Sequence, residues 1–330
     1  MDLMLLNGAN HPLLANLEKN ENVRVHKLSE GSVYNPFHIF KIKKFLDKYD
    51  LVHVHLFPSL YWTAIAKFLM KSPANLVYTE HNTSNRRRRP ILRLLDNFIY
   101  RQYKQLIAIS AEVEANLRSH LQDAKSKIAL INNGVDLDRI RTAQPYERSE
   151  FVTDPNTKIL IQISSFTKQK DQRTLINAIP KINHNVLLLL VGEGETLKDH
   201  KALVNKLGLQ GQVRFLGVRM DVPELLKTAD IVVLSSHYEG LSLSSIEGLA
   251  SGAPFIASNV SGLSTIVSGA GILFTENDPR DLAEHIITLI DNPEFAKEIA
   301  ATGLKRAENY SIEKMVDAHI RLYTKLWNKK

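Results

Sequence analysis

The sequence predicts an α/β protein made of two doubly wound parallel-sheet domains that face a cleft. Three observations predict it. Short β-branched runs alternate with amphipathic stretches through most of the 330 residues. The alternation breaks once, in a polar stretch with two prolines, and then restarts. Composition is ordinary for a globular chain, 44% hydrophobic and 23% charged, and at this length it suits two domains.

In the first array, "DLVHVHLF", "NLVYTEH", "QLIAIS" and "KIALINNG" read as strands. Their apolar residues run on without alternating, as a sheet buried on both faces requires. "SLYWTAIAKFLMK" and "AEVEANLRSHL" between them carry helical spacing. The second array runs "KILIQISS", a helix from Asp171, "NVLLLLVGEGE", a helix from Thr196, "QVRFLG", "PELLKTA" and "DIVVLSS". The domains are expected at 1–142 and 157–310, with a linker over 143–156. The tail 311–330 opens on a serine N-cap and should close the chain as one long helix.

Composition narrows the function classes. Residues 1–150 hold 22 Lys and Arg against 15 Asp and Glu, and residues 151–330 hold 20 against 20, so the whole +7 excess lies in the first half. Such a half suits an anionic partner or simply a soluble basic surface. No apolar run is long enough to cross a bilayer, no signal-peptide pattern opens the chain, and there is no cysteine. A cytoplasmic protein is expected. Nucleic acid is disfavoured, since basic runs lack interleaved aromatics. A nicotinamide-dependent dehydrogenase lacks its G-x-G-x-x-G after a strand.

The chemistry concentrates in "SSHYEGLSLSSIEGLASGAP", residues 235–254. A strand enters a glycine-containing loop and then a helix N-terminus, which Gly252 and Pro254 follow. The N–H groups of Leu241, Ser242 and Leu243 and the positive helix end suit a phosphate. Glu247, expected in the first helical turn, can accept from a ribose diol or act as a capping acid. Glu239 precedes the turn and can hold sugar hydroxyls.

These pieces, in order and at family spacing, resemble the family 4 retaining glycosyltransferases of GT-B fold. "INNGVDLDRI", "SSFTKQKDQRTLINAI", "VGEGE", "FLGVRMDVPELLKTADIVVLSSHYEG" and "SIEGLASGAPFIAS" carry the resemblance, with two glutamates separated by seven residues. It implies transfer of a sugar from a nucleotide-diphosphate sugar, UDP- or GDP-linked, to a hydroxyl of a glycan or lipid-linked acceptor. It implies a place in cell-envelope or exopolysaccharide synthesis, and no metal. Lys170 would bind the donor diphosphate, Glu247 the ribose, and the Gly217–Val218 turn the base. His81, after a strand end, would contact the transferred sugar as a catalytic residue together with Lys170 and Glu239. Ser165 stands where the family usually has a second cation, an arginine, and Thr265 where it usually has an acid. Two alternatives follow: a catalytically impaired nucleotide-sugar-binding partner, and a GT-B sugar-nucleotide epimerase.

His53 and His55 share a strand face and are expected as buried polar residues rather than metal ligands. Asp136 and Asp138 read as turn and cap chemistry. "RRRRP", Arg86 to Pro90, suggests contact with an anionic acceptor or a peripheral position at the inner face of the plasma membrane. Beside the family, "DLMLLNG", "HPLLANLEK" and "VRVHKL" resemble a second strand, a helix and a third strand. The first βα unit is therefore expected to be absent.

Overall fold

The structure is a computed structural model that describes residues 1–9, 12–82, 93–121 and 127–328. The arginine run at 86–89 lies outside the described residues. The chain forms two compact units, residues 1–131 with 319–330, and residues 132–318.

The first unit contains β1 (Asp2–Leu5), α1 (Pro12–Glu18), β2 (Arg24–Lys27), α2 (His38–Leu46), β3 (Leu51–His55), α3 (Ser59–Met70), β4 (Asn75–Glu80), α4 (Arg93–Arg101), β5 (Gln105–Ala108), α5 (Ala111–His120) and β6 (Ile128–Leu130). Its strands fall into two sheets among the described residues. One is the parallel pair β1-β2, and the other is four-stranded in the order β3-β4-β5-β6. Both rest on one core. Met4 of β1, and Leu6 and Leu28 just after β1 and β2, pack against the cluster that includes Ile42, Val54, Leu76 and Leu106. The expected strand, helix and strand at the N-terminus are β1, α1 and β2.

The second unit contains α6 (Leu137–Thr142), β7 (Lys158–Ile163), α7 (Gln172–Ala178), β8 (Val186–Val191), α8 (Leu197–Leu207), β9 (Val213–Gly217), α9 (Val222–Thr228), β10 (Ile231–Leu234), α10 (Leu243–Ala250), β11 (Phe255–Ser258), α11 (Leu263–Val267), β12 (Ile272–Phe274), α12 (Pro279–Asp291) and α13 (Pro293–Ala307). Its parallel sheet has the order β12-β11-β10-β7-β8-β9. The continuous apolar runs have a direct cause. Ile159, Ile161, Leu187, Leu189, Val232 and Leu234 join one core cluster. Their sequence neighbours Leu160, Leu188, Leu190, Ile231 and Val233 join another. Successive side chains of a strand point to opposite faces, so both faces are buried and the unit is doubly wound.

Compactness divides the chain at Ile131 and Asn132, ahead of the expected linker at 143–156. Val135, Leu137, Ile140 and Val152 are buried in the second unit's core, which fixes this segment there. The tail helix α14 spans Ile312–Trp327 and opens, as expected, after Ser311, whose Oγ accepts from Lys314 N at 3.3 Å. Its residues from His319 onward count with the first unit.

Candidate functional site

Strand order reverses between β7 and β10: the strands built after β7 lie to one side of it, and those from β10 onward lie to the other. Ligands of open parallel sheets bind outside the strands' carboxyl ends at such a switch point. Two loops meet there, 164–170 after β7 and 235–242 after β10.

A buried polar network joins them. Ser235 Oγ lies 2.8 Å from Gln162 Oε1 and 2.9 Å from Asp171 O. Gln162 Nε2 donates to Lys170 O at 3.0 Å, and Gln172 Nε2 donates to Ser165 O at 2.9 Å. His237 N donates to Gln169 O at 2.8 Å, and Gln169 Nε2 donates to Tyr238 O at 2.7 Å. Buried polar groups must be paired, and here the pairing fixes both loops at once. Asp171, left-handed at φ 43°, caps α7 by accepting from Thr174 N at 3.3 Å.

The network sets the two charged residues side by side. Lys170 Nζ donates to Glu239 Oε1, and Ser236 Oγ donates to the same oxygen at 2.8 Å. Glu239 is buried and Lys170 is half-buried. Gly262 brings the glutamate's loop in close. Its φ is +86°, and an added Cβ would stand 2.1 Å from Glu239 O and 2.5 Å from Gly240 O. Only glycine fits, for both conformation and space.

Just beyond Glu239, α10 begins. Ser242 is its N-cap and accepts from Ser245 N at 3.3 Å. The N–H groups of Leu241, Ser242 and Leu243 have no partner among the described residues. Unpartnered N–H groups and the positive end of the helix dipole therefore face the same space.

Glu247 needs a correction. It is the fifth residue of α10 and so belongs to the second turn, because the helix starts at Leu243. At that depth it cannot be a first-turn capping acid. Burial raises its pKa above the ordinary glutamate value, and the nearby charge of Arg139 works against the rise. Arg139 is held by its Nη2 donating to Met220 O at 2.7 Å. Gly217 turns the chain at φ +67°, its carbonyl accepts from Gly192 N at 2.8 Å, and Val218 beside it is exposed. Ser165 and Lys168 are also exposed.

The first unit holds His53, His55 and His81. His81 follows β4, half-buried, with Nε2 at 3.0 Å from His55 Nδ1. Burial lowers its pKa, against the charge of Glu80. His53 binds Thr79 Oγ1 at 2.7 Å and Tyr323 OH at 2.5 Å, and burial first and then its histidine neighbours lower its pKa to about 3. The expected burial of the β3 histidines falls short at both: His53 is half-buried. His55 ends the strand where the chain leaves the core, and it is exposed. Among the described residues no group of three or more histidines and acids is arranged to hold a metal ion. Asp136 caps α6 by accepting from Arg139 N at 2.9 Å, and Asp138 pairs with Arg141 at 2.5 Å. No helix of the described residues is long and apolar enough to cross a membrane.

Sequence reasoning named Lys170 and Glu239, which the structure pairs, and the α10 N-terminus and Glu247, which lie on the helix that follows. It missed Gln162, Gln172, Ser235, Ser236 and Arg139. Serines and glutamines at strand ends carry no periodic signal, although "QISS" and "LSS" at the ends of β7 and β10 mark where polar pairing replaces apolar packing.

Two Rossmann-like units with parallel sheets define the GT-B class. The chain belongs to the glycosyltransferases of that class. Residues 10–139 match the family described as Glycosyltransferase Family 4, and residues 144–306 match Glycosyl transferases group 1. It is 28% identical over 284 residues to N-acetyl-alpha-D-glucosaminyl L-malate synthase of Bacillus anthracis, covering 83% of this chain and 74% of that one. It is 26% identical over 301 residues to UDP-Gal:alpha-D-GlcNAc-diphosphoundecaprenol alpha-1,3-galactosyltransferase of Escherichia coli, covering 86% and 77%. The fold is similar to that of HepE of Anabaena in complex with UDP. The TM-score is 0.85 at 21% identity, over 98% of this chain and 92% of that one.

Proposed function

We propose that this glycosyltransferase moves a sugar from a nucleotide-diphosphate sugar to a hydroxyl of a glycan or lipid-linked acceptor, with retention, in cell-envelope or exopolysaccharide synthesis. The observation that carries the reading is the Lys170–Glu239 pair beside the unpartnered N–H groups of Leu241 to Leu243. A cation and a helix N-terminus converge where a diphosphate would lie, with a carboxylate next to them for sugar hydroxyls. Glu247 takes the ribose diol, and the Gly217–Val218 turn takes the base. His81 serves the transferred sugar. The donor's base is uracil or guanine, and uracil is favoured by the names of two similar proteins, which carry UDP and UDP-Gal.

The chemistry asked of these groups is electrostatic. As the glycosidic bond breaks, negative charge grows on the departing diphosphate. Lys170 and the three N–H groups are fixed before that happens, so they gain strength in the transition state without reorganising. No covalent enzyme intermediate is required. A second reading, a donor-binding protein with impaired transfer, draws on exposed Ser165, which offers a hydroxyl in place of a guanidinium.

The test is a thermal-shift screen of the purified protein against UDP-, GDP- and ADP-sugars. A ligand at 100 times its dissociation constant should stabilise by about 2.7 kcal/mol. A release assay for the nucleoside diphosphate follows, with candidate acceptors. Stabilisation by no nucleotide sugar would sink both readings, and binding without release with any acceptor would favour the second.

A further inference from the structure

A row of imidazoles crosses the carboxyl end of the first unit's four-stranded sheet and ends at His81. His53 and His55 are two apart on β3, so their side chains leave the same face. The partner of His55 across the sheet is Thr79 of β4, and His81 follows just past the end of that strand. The first ring of the row is anchored at both nitrogens. His53 Nδ1 lies 2.5 Å from Tyr323 OH, and its Nε2 lies 2.7 Å from Thr79 Oγ1. The His55 ring rests against this anchor, with 4.1 Å between centroids and a tilt of 35°. On its other side, His55 Nδ1 is 3.0 Å from His81 Nε2.

Burial does not account for the contact. His55 is exposed, and an exposed imidazole can bond to water instead of a protein group. A hydrogen bond between two neutral imidazoles uses one N–H and one lone pair, so the proton on one ring dictates the tautomer of the other. It also consumes Nε2 of His81 and leaves Nδ1 for a ligand.

We propose that His55 is the positioning residue of His81. Braced by the anchored His53, it engages Nε2, sets the tautomer and orientation of the ring, and makes Nδ1 the nitrogen that meets the transferred sugar. The inference rests on the reading of His81 as the residue that serves that sugar. A ring free to turn would present either nitrogen, and misplacing a reacting group by about 1 Å costs on the order of a hundredfold in rate.

The experiment compares the parent with two variants. His55→Leu keeps bulk and removes the nitrogen, while His55→Asn puts an amide about where Nδ1 stood. All are studied at about pH 8, above the ordinary histidine pKa, so that the imidazoles are neutral. Nitrogen NMR reads the ring of His81, assigned by its loss in His81→Ala. The parent and His55→Asn should show one fixed tautomer, and His55→Leu the average of two. With a donor that binds, His55→Leu should lower kcat by about tenfold to a hundredfold with the donor KM near parental, and His55→Asn should recover most of the loss. The side chain is exposed, so both variants should melt as the parent does. A parental kcat or a parental His81 signal in His55→Leu would overturn the proposal. So would equal losses in His55→Leu and His55→Asn, which would show that the hydrogen bond is not what His55 contributes. If the parent turns over no donor, the proposed function fails, and the His81 signals alone decide whether His55 positions that ring.

Discussion

Lys170 and Glu239 hold each other across the two loops of the switch point, with Ser236 Oγ on the same carboxylate oxygen. The pair keeps a lysine charge beside the α10 N-terminus and prevents it from wandering into solvent. In the proposed reaction an arriving diphosphate would meet a cation already in place. Lys170→Ala should lower turnover by roughly two to three orders of magnitude and affect donor binding less, because growing charge on the leaving group is what the lysine meets. Diphosphate release at the parental rate would show that the lysine only pins Glu239.

Glu247 has a pH signature. Burial raises its pKa, so as pH falls the carboxylate is protonated earlier than an ordinary glutamate and loses its acceptor strength. Donor affinity should therefore begin to drop above the usual carboxylate range. Glu247→Ala should cost about 1.5–3 kcal/mol of donor binding at neutral pH. Glu247→Gln should lack this step in the pH profile. Calorimetry across pH on the three proteins reads it, and a parental profile in Glu247→Gln would move the ribose elsewhere.

Gly262 is the close-approach point of the Glu239 loop. Gly262→Ala forces an L residue to φ +86° and drives a Cβ into two carbonyls. The conformational cost alone is about 1–3 kcal/mol. Lower melting temperature together with weaker UDP binding is the expected result, since the loop that carries Glu239 must retreat. A variant that melts and binds as the parent does would mean that the loop relaxes freely.

His53 ties the first unit's stability to acid. Its pKa falls from 6.5 to about 3 in the folded protein, so the unfolded chain binds more protons below pH 6.5. Its contribution is present above 6.5 and is lost as pH falls toward 3. The loss grows at up to about 1.4 kcal/mol per pH unit in that window. His53→Gln should flatten the dependence of urea stability on pH there. An unchanged slope would assign the acid sensitivity to other groups.

The strands were legible because burial on both faces leaves an unbroken apolar run, as at Leu187 to Val191, where alternate residues enter opposite core clusters. The α10 N-terminus was legible because a helix start after a glycine loop is a local matter. Other features depend on contacts far along the chain. Val135, Leu137 and Ile140 read as the end of the first domain, yet they join the second unit's core, because too few apolar positions fall in the segment to show a period. Gln162 and Ser235 show nothing in sequence until β7 and β10 lie side by side.

Ser165 tests how much cation the site needs. It is exposed in the loop after β7, five residues before Lys170, and only its carbonyl is engaged, accepting from Gln172 Nε2 and Thr167 N. A longer side chain at that position displaces no buried partner. Ser165→Arg should therefore fold normally and add a planar, permanently charged donor set suited to phosphate oxygens. With Lys170 alone, the proposed reaction gives the leaving diphosphate one cation and three N–H groups. A second cation should raise turnover by roughly tenfold or more, at equal or tighter donor binding. The double change Ser165→Arg with Lys170→Ala separates addition from replacement. If the arginine restores most of the turnover lost with the lysine, both act on the same diphosphate. If Ser165→Arg leaves turnover unchanged while melting and UDP affinity stay parental, position 165 does not face the leaving group. If neither the parent nor Ser165→Arg turns over a donor that binds, the impaired-partner reading replaces the enzyme.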